Sequence, residues 1–119
     1  MVNESRKIMG LPGLAVTVTT VRVPVMNSHS IALNVELAGS MSASKARDLL
    51  EKAPGVKVVD NPEQLEYPMP LYADGDDAVY VGRIRPDRSV EHGLNLWVVG
   101  DNIRKGAATN SIQIAELLL

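Results

Sequence analysis

Ala78-Val79-Tyr80-Val81-Gly82-Arg83-Ile84-Arg85 and, beyond a polar turn, Leu94-Asn95-Leu96-Trp97-Val98-Val99 are the stretches whose reading decides the fold. Both are rich in β-branched and aromatic residues, the side chains that suit a pleated, half-buried surface. Between them, Pro86-Asp87-Arg88 through His92-Gly93 is polar and turn-forming, so the two runs read as an antiparallel hairpin. Arg83 and Arg85 fall on one face of a strand otherwise made of Val79, Val81 and Ile84. Pairing across a sheet or an interface explains them better than catalysis does.

Upstream of the hairpin, residues 60–77 carry Pro62, Pro68 and Pro70 and end in Asp74-Gly75-Asp76-Asp77, which predicts an extended loop closed by a turn. A connection of that length usually has a task, and covering a partner surface is one. Residues 56–59 predict a short strand. Ser42 caps a predicted helix through Ala43, Lys45, Ala46, Leu49 and Leu50 that stops at Pro54-Gly55, with Leu49 and Leu50 on its apolar side. Residues 30–37 alternate Ile31, Leu33, Val35 and Leu37 against Ser30, Asn34 and Glu36, the period of a half-buried strand. Residues 14–22 are β-branched and predict a second strand, joined to the first through residues 24–28 as an antiparallel pair. Residues 1–9 read as the tail of a helix cut at its start, ended by Gly10 and Pro12. Residues 102–119 predict a closing helix capped by Asp101 or Asn102, slim at Gly106-Ala107-Ala108 and apolar at Ile112, Ile114, Ala115, Leu117 and Leu118. The order is that of a single α+β domain over residues 1–119, a mainly antiparallel or mixed sheet covered by helices.

Composition narrows the function classes. A chain of 119 residues can bury about two thirds of its unfolded surface in one core. With no cysteine there is no disulfide, thiolate metal site or thiol nucleophile. The net charge of −2 offers no basic field for nucleic acid or an anionic membrane, and no apolar run is long enough to span a bilayer. No signal-peptide pattern is read here, and a soluble, cytoplasmic protein is the expectation. His29 and His92 lie in different loops with no carboxylate set around them, so no metal centre is expected, and His92 beside Gly93 reads as a solvated turn residue.

Val21-Arg22-Val23-Pro24-Val25-Met26-Asn27-Ser28-His29-Ser30 joins two chemically useful residues. An arginine offers a planar fork to a carboxylate, and a neutral imidazole accepts a proton at physiological pH. One short segment can therefore hold an acidic substrate and move protons on it. On periodicity alone, however, Arg22 can equally point to water and His29 can simply open the next strand.

Asn3-Glu4-Ser5-Arg6-Lys7-Ile8, then Val21-Arg22-Val23-Pro24-Val25 with His29-Ser30, then Val81-Gly82-Arg83-Ile84-Arg85, then Gly100-Asp101-Asn102-Ile103-Arg104-Lys105-Gly106-Ala107-Ala108 with Gln113-Ile114-Ala115-Glu116 form an ordered set. Over essentially its whole length the chain resembles the C-terminal part of the bacterial aspartate-semialdehyde dehydrogenase family. The resemblance implies a fold like the C-terminal domain of glyceraldehyde-3-phosphate dehydrogenase, homodimerisation through the sheet, and a last helix that returns to a coenzyme-binding N-terminal domain. It implies NADPH-dependent reduction of aspartyl 4-phosphate to aspartate 4-semialdehyde through a cysteine thioester, on the route to lysine, methionine and threonine. By motif, Arg22 resembles the arginine that holds the substrate α-carboxylate, His29 the acid/base histidine, and Asn102 the amide that touches the NADP coenzyme.

The departures are as informative. There is no Gly-x-Gly-x-x-Gly fingerprint and no nucleophilic cysteine, so the chain resembles about the last third of such an enzyme and is expected to be inactive alone. Two alternatives stay open: a non-catalytic dimerisation or interaction module, and a sibling acyl-phosphate reductase.

Overall fold

The computed structural model describes residues 1–119. The hairpin forms where expected, as β3 (Val79–Asp87) and β4 (Gly93–Gly100), and becomes the centre of a four-stranded sheet. β1 (His29–Glu36) pairs antiparallel with β4, and β2 (Val56–Val58) pairs parallel with β3, giving the order β1-β4-β3-β2. Helices α1 (Val2–Ile8), α2 (Ala43–Glu51), α3 (Pro70–Ala73) and α4 (Thr109–Glu116) complete the mixed α+β architecture.

Alternation along the strands builds two cores on opposite faces of the sheet. Val81, Ile84 and Leu94 meet Ala46 of α2 on one face, with Val35, Leu50, Leu96 and Val98 packed around them. Tyr80 and Val99 meet Ala73 of α3 on the other. Helix α2 starts as its sequence dictates, with the Ser42 hydroxyl accepting the Lys45 N–H at 3.1 Å. Only part of its expected apolar side is buried: Ala46 and Leu50 pack on the core, while Leu49 stays exposed.

A bulge between Gly82 and Arg85 interrupts β3, with Arg83 at φ +51°. The bulge leaves the Ile84 N–H without a ladder partner, and the Asp60 carboxylate accepts it at 3.2 Å while pairing with the Arg47 guanidinium of α2. The Asp60 side chain is 2% exposed. Asp60→Ala is expected to cost about 2 kcal/mol in urea unfolding, because it orphans a buried N–H. The larger penalty of a stranded buried charge does not arise, since Arg47 is partly exposed and can turn to water. An unchanged urea midpoint would remove Asp60 from the bulge's support.

The expected strand over residues 14–22 does not form, and with it goes the expected hairpin across residues 24–28. Residues 11–27 run over the surface without ladder bonds, and Val18, Val21, Val23 and Val25 are exposed. Propensity supplied an extended segment, but no strand of this chain takes up its N–H groups and no apolar layer covers its side chains. The loop over residues 60–77 is also more structured than expected. It holds a 3₁₀ turn at Pro62–Gln64, an isolated bridge between Asn61 and Glu66, and α3. The closing helix divides into a π-helical turn at Arg104–Ala108 and α4, whose Ile112 and Ile114 are exposed, as are Leu117 and Leu118 beyond its end. No helix is long and apolar enough to cross a membrane.

Candidate functional site

Two of the three functional candidates, His29 and Asn102, lie at one end of the sheet. In the β1–β4 ladder His29 stands opposite Gly100, the last residue of β4, and Asp101 and Asn102 follow directly. Strand register therefore brings the histidine to the start of the last helical segment, far from it in sequence. Arg22 lies on the irregular segment leading to β1. The side chains of Arg22, His29 and Asn102 are all exposed, available to groups from outside this chain.

Of the two possible caps, the structure uses Asp101. Its Oδ1 accepts the N–H groups of Ile103 at 2.7 Å and Arg104 at 3.0 Å, and its Oδ2 accepts the Gly75 N–H at 2.9 Å. Its backbone carbonyl accepts the Gly106 N–H at 2.9 Å, the first of the wide bonds that wind the π turn, followed by Ala108 N–H to Ile103 O at 2.8 Å. Capping by Asp101 leaves the Asn102 carboxamide outward-facing. The Gly75 amide, then those of Arg104 and Ile103, hold the Asp101 carboxyl below the usual carboxylate range.

Residues 70–77 work inside the chain as a clip around this site. The Ser28 hydroxyl donates to the Pro70 carbonyl at 3.2 Å, and the Asn27 amide donates to Asp74 at 3.1 Å. Ser28 is buried at φ +71°, so the residue just before His29 holds a left-handed backbone conformation. At the other end Asp77 accepts from the Thr109 hydroxyl at 2.7 Å and pairs with Arg104 at 3.2 Å. Those two contacts, the hydroxyl first, lower the Asp77 carboxyl. Carboxyls lowered on folding stabilise the native state above the unfolded carboxylate range, near pH 4, and lose that contribution as pH falls through their folded values.

Arg104 and Lys105 are both engaged within the chain: Arg104 pairs with Asp77, and Lys105 donates to Asn110 at 2.9 Å and Gln113 at 2.7 Å. His92 is half-buried instead of solvated, with its Nδ1 enclosed and its carbonyl accepting the Leu37 N–H. Arg83 and Arg85 behave as structural residues: Arg83 lies over the Tyr67 ring, and Arg85 donates to the Arg83 carbonyl at 2.8 Å. Sequence reasoning missed the roles of Asn27, Ser28 and Gly75. The Asp74-Gly75 turn was the one local signal, and it did not disclose its partners.

The architecture is a helix-layered mixed sheet, not the doubly wound parallel sheet of a coenzyme-binding domain. The chain belongs to the family described as semialdehyde dehydrogenase, dimerisation domain, which matches residues 1–105. More particularly, it is similar to a C-terminal part of aspartate-semialdehyde dehydrogenases. It is 55% identical over 119 residues to that of Aquifex aeolicus, covering all of this chain and 35% of the relative, and 56% identical to that of Legionella pneumophila, covering 99% and 34%. The chain thus spans about a third of the length of the relatives it matches. The crystal structure of aspartate semialdehyde dehydrogenase II from Vibrio cholerae, complexed with ASA, superposes with a TM-score of 0.93 at 45% identity, over 99% of this chain and 34% of that one. The architecture is the expected C-terminal domain of the glyceraldehyde-3-phosphate dehydrogenase type.

Proposed function

We propose that this chain furnishes the substrate-binding and proton-transferring half of an NADP-dependent aspartate-semialdehyde dehydrogenase. In that reading the enzyme reduces aspartyl 4-phosphate to aspartate 4-semialdehyde in the cytoplasm, supplying lysine, methionine and threonine synthesis. The observation that carries it is the His29–Gly100 register, which puts the histidine beside the start of the last helix. Arg22 binds the substrate α-carboxylate through its guanidinium fork, orienting the reacting end. His29 takes a proton from the cysteine nucleophile contributed by the rest of the enzyme and returns it to the hemithioacetal oxygen. The exposed Asn102 carboxamide, beside the slim Gly106-Ala107 surface, suits a polar coenzyme edge. The nicotinamide coenzyme, when bound, supplies the hydride.

The exposed apolar residues of α1 and α4, Ile8 among them, support burial against a coenzyme-binding portion, and the sheet supports homodimerisation. Without a cysteine the chain by itself catalyses nothing. The test joins it with a coenzyme-binding portion of the same family and follows phosphate-dependent NADP reduction by aspartate semialdehyde. Arg22→Leu in that assembly is expected to raise KM for the semialdehyde about 10–100-fold, the loss of a charge-assisted bidentate contact, with KM for NADP unchanged. Equal effects on both constants would refute Arg22 as the carboxylate anchor, and an assembled but inert wild type would leave the dimerisation module as the function.

A further inference from the structure

We infer that Asp101 is a positioning residue that sets the place of Asn102 relative to His29, and through it the affinity for coenzyme. The inference rests on the functional reading above and assigns a task to a residue that reading leaves idle. Asp101 is 6% exposed and occupies the step where the β4 ladder hands over to the π turn. Its carboxylate is saturated by three backbone N–H groups and its carbonyl by a fourth, that of Gly106. Asn102 is thereby held between two fixed points, the Gly100 rung and the cap on Ile103 and Arg104.

The bond to Gly75 does something the cap does not. It ties the start of the last helix to residues 70–77, and those residues are tied by Pro70 and Asp74 to Ser28 and Asn27, immediately before His29. A second connection, independent of the ladder, therefore runs from His29 to Asn102. A single ladder rung at a sheet end frays, whereas two connections define one spacing.

Asp101→Asn separates these functions. An asparagine carbonyl still accepts from Ile103 and Arg104, but its amino group now confronts the Gly75 N–H, donor against donor, so the cap persists while the clip opens. The experiment uses the enzyme assembled from this chain and a coenzyme-binding portion, comparing wild type, Asp101→Asn, Asn102→Ala and the double variant. Expected is an NADPH Kd raised about tenfold by Asp101→Asn, KM for the semialdehyde unchanged, and no further loss when Asn102 is already alanine. Losses that multiply in the double variant, or fall equally on both substrates along with the melting temperature, would make Asp101 a merely structural residue and overturn the inference. Should Asp101→Asn not fold, Ser28→Ala, which cuts the other end of the clip, decides by the same cycle: about threefold weaker NADPH binding that vanishes in the Asn102→Ala background supports it, and additivity overturns it. A wild-type assembly that does not reduce NADP overturns the functional reading and this inference together, whereas an active wild type with an indifferent Asp101→Asn overturns this inference alone.

Discussion

His29→Asn in the assembled enzyme is expected to lower kcat about 10²–10⁴-fold with KM for the semialdehyde little changed. Asparagine keeps the backbone of the first β1 residue in its ladder with Gly100 and can still hydrogen-bond, but it cannot carry a proton between donor and acceptor. Because the His29 side chain is exposed, the substitution removes no buried packing, and the melting temperature of the chain should stay within the range of an ordinary surface change. Steady-state kinetics beside a thermal melt separate the two effects. A kcat within threefold of wild type would end the acid/base assignment, and a parallel loss of stability would point to a structural role.

Gly82→Ala is expected to produce the largest loss of stability of any single methyl added to this chain. A β-carbon there would lie 2.1 Å from the Val59 carbonyl oxygen and 2.6 Å from Pro68 Cδ. Neither neighbour can give way. Val59 is pinned by its N–H to the Val81 carbonyl at 2.8 Å, and Pro68 is fully buried with its carbonyl accepting the Trp97 indole N–H at 3.1 Å. Overpacking against backbone on a central strand should cost about 3 kcal/mol or more, read as a lower urea midpoint at unchanged slope. Because Pro68 leads directly into the clip at residues 70–77, coenzyme affinity should weaken as well. A loss under about 1 kcal/mol would mean that residues 59–68 slide aside, and that the sheet does not set the clip's position.

Elements whose signals are local were legible. Ser42 announces α2, the alternation from Ile31 to Val35 announces β1, and the turn between Arg85 and Leu94 announces the β3–β4 hairpin. Arg22, His29 and Asn102 are candidates drawn from residue type and motif, and their roles stand as proposals for the assembled enzyme. Residues 14–22 show the limit of the same reasoning: their β-branched side chains describe a strand, yet a strand needs a neighbour, and β1, an edge strand, pairs with β4 alone. Leu49 shows the same limit, an apolar helix residue beside buried Leu50 that the fold leaves exposed. Asp60 reads as an ordinary loop carboxylate until the bulge in β3 exposes an N–H for it.

The amino-acid sequence alone thus specified the α+β class, the start of α2, the β3–β4 hairpin, the absence of a thiol in this chain and the residue types able to bind a carboxylate or move a proton, because each follows from side-chain chemistry or from spacing within a few positions. Tertiary structure alone decided that β1 lies beside β4, that His29 therefore stands opposite Gly100, and that Asp101 rather than Asn102 caps the last helix while gripping Gly75. Those outcomes depend on which distant N–H groups meet which acceptors. That competition is settled by strand register and burial across the whole fold, not by the residues flanking any one site.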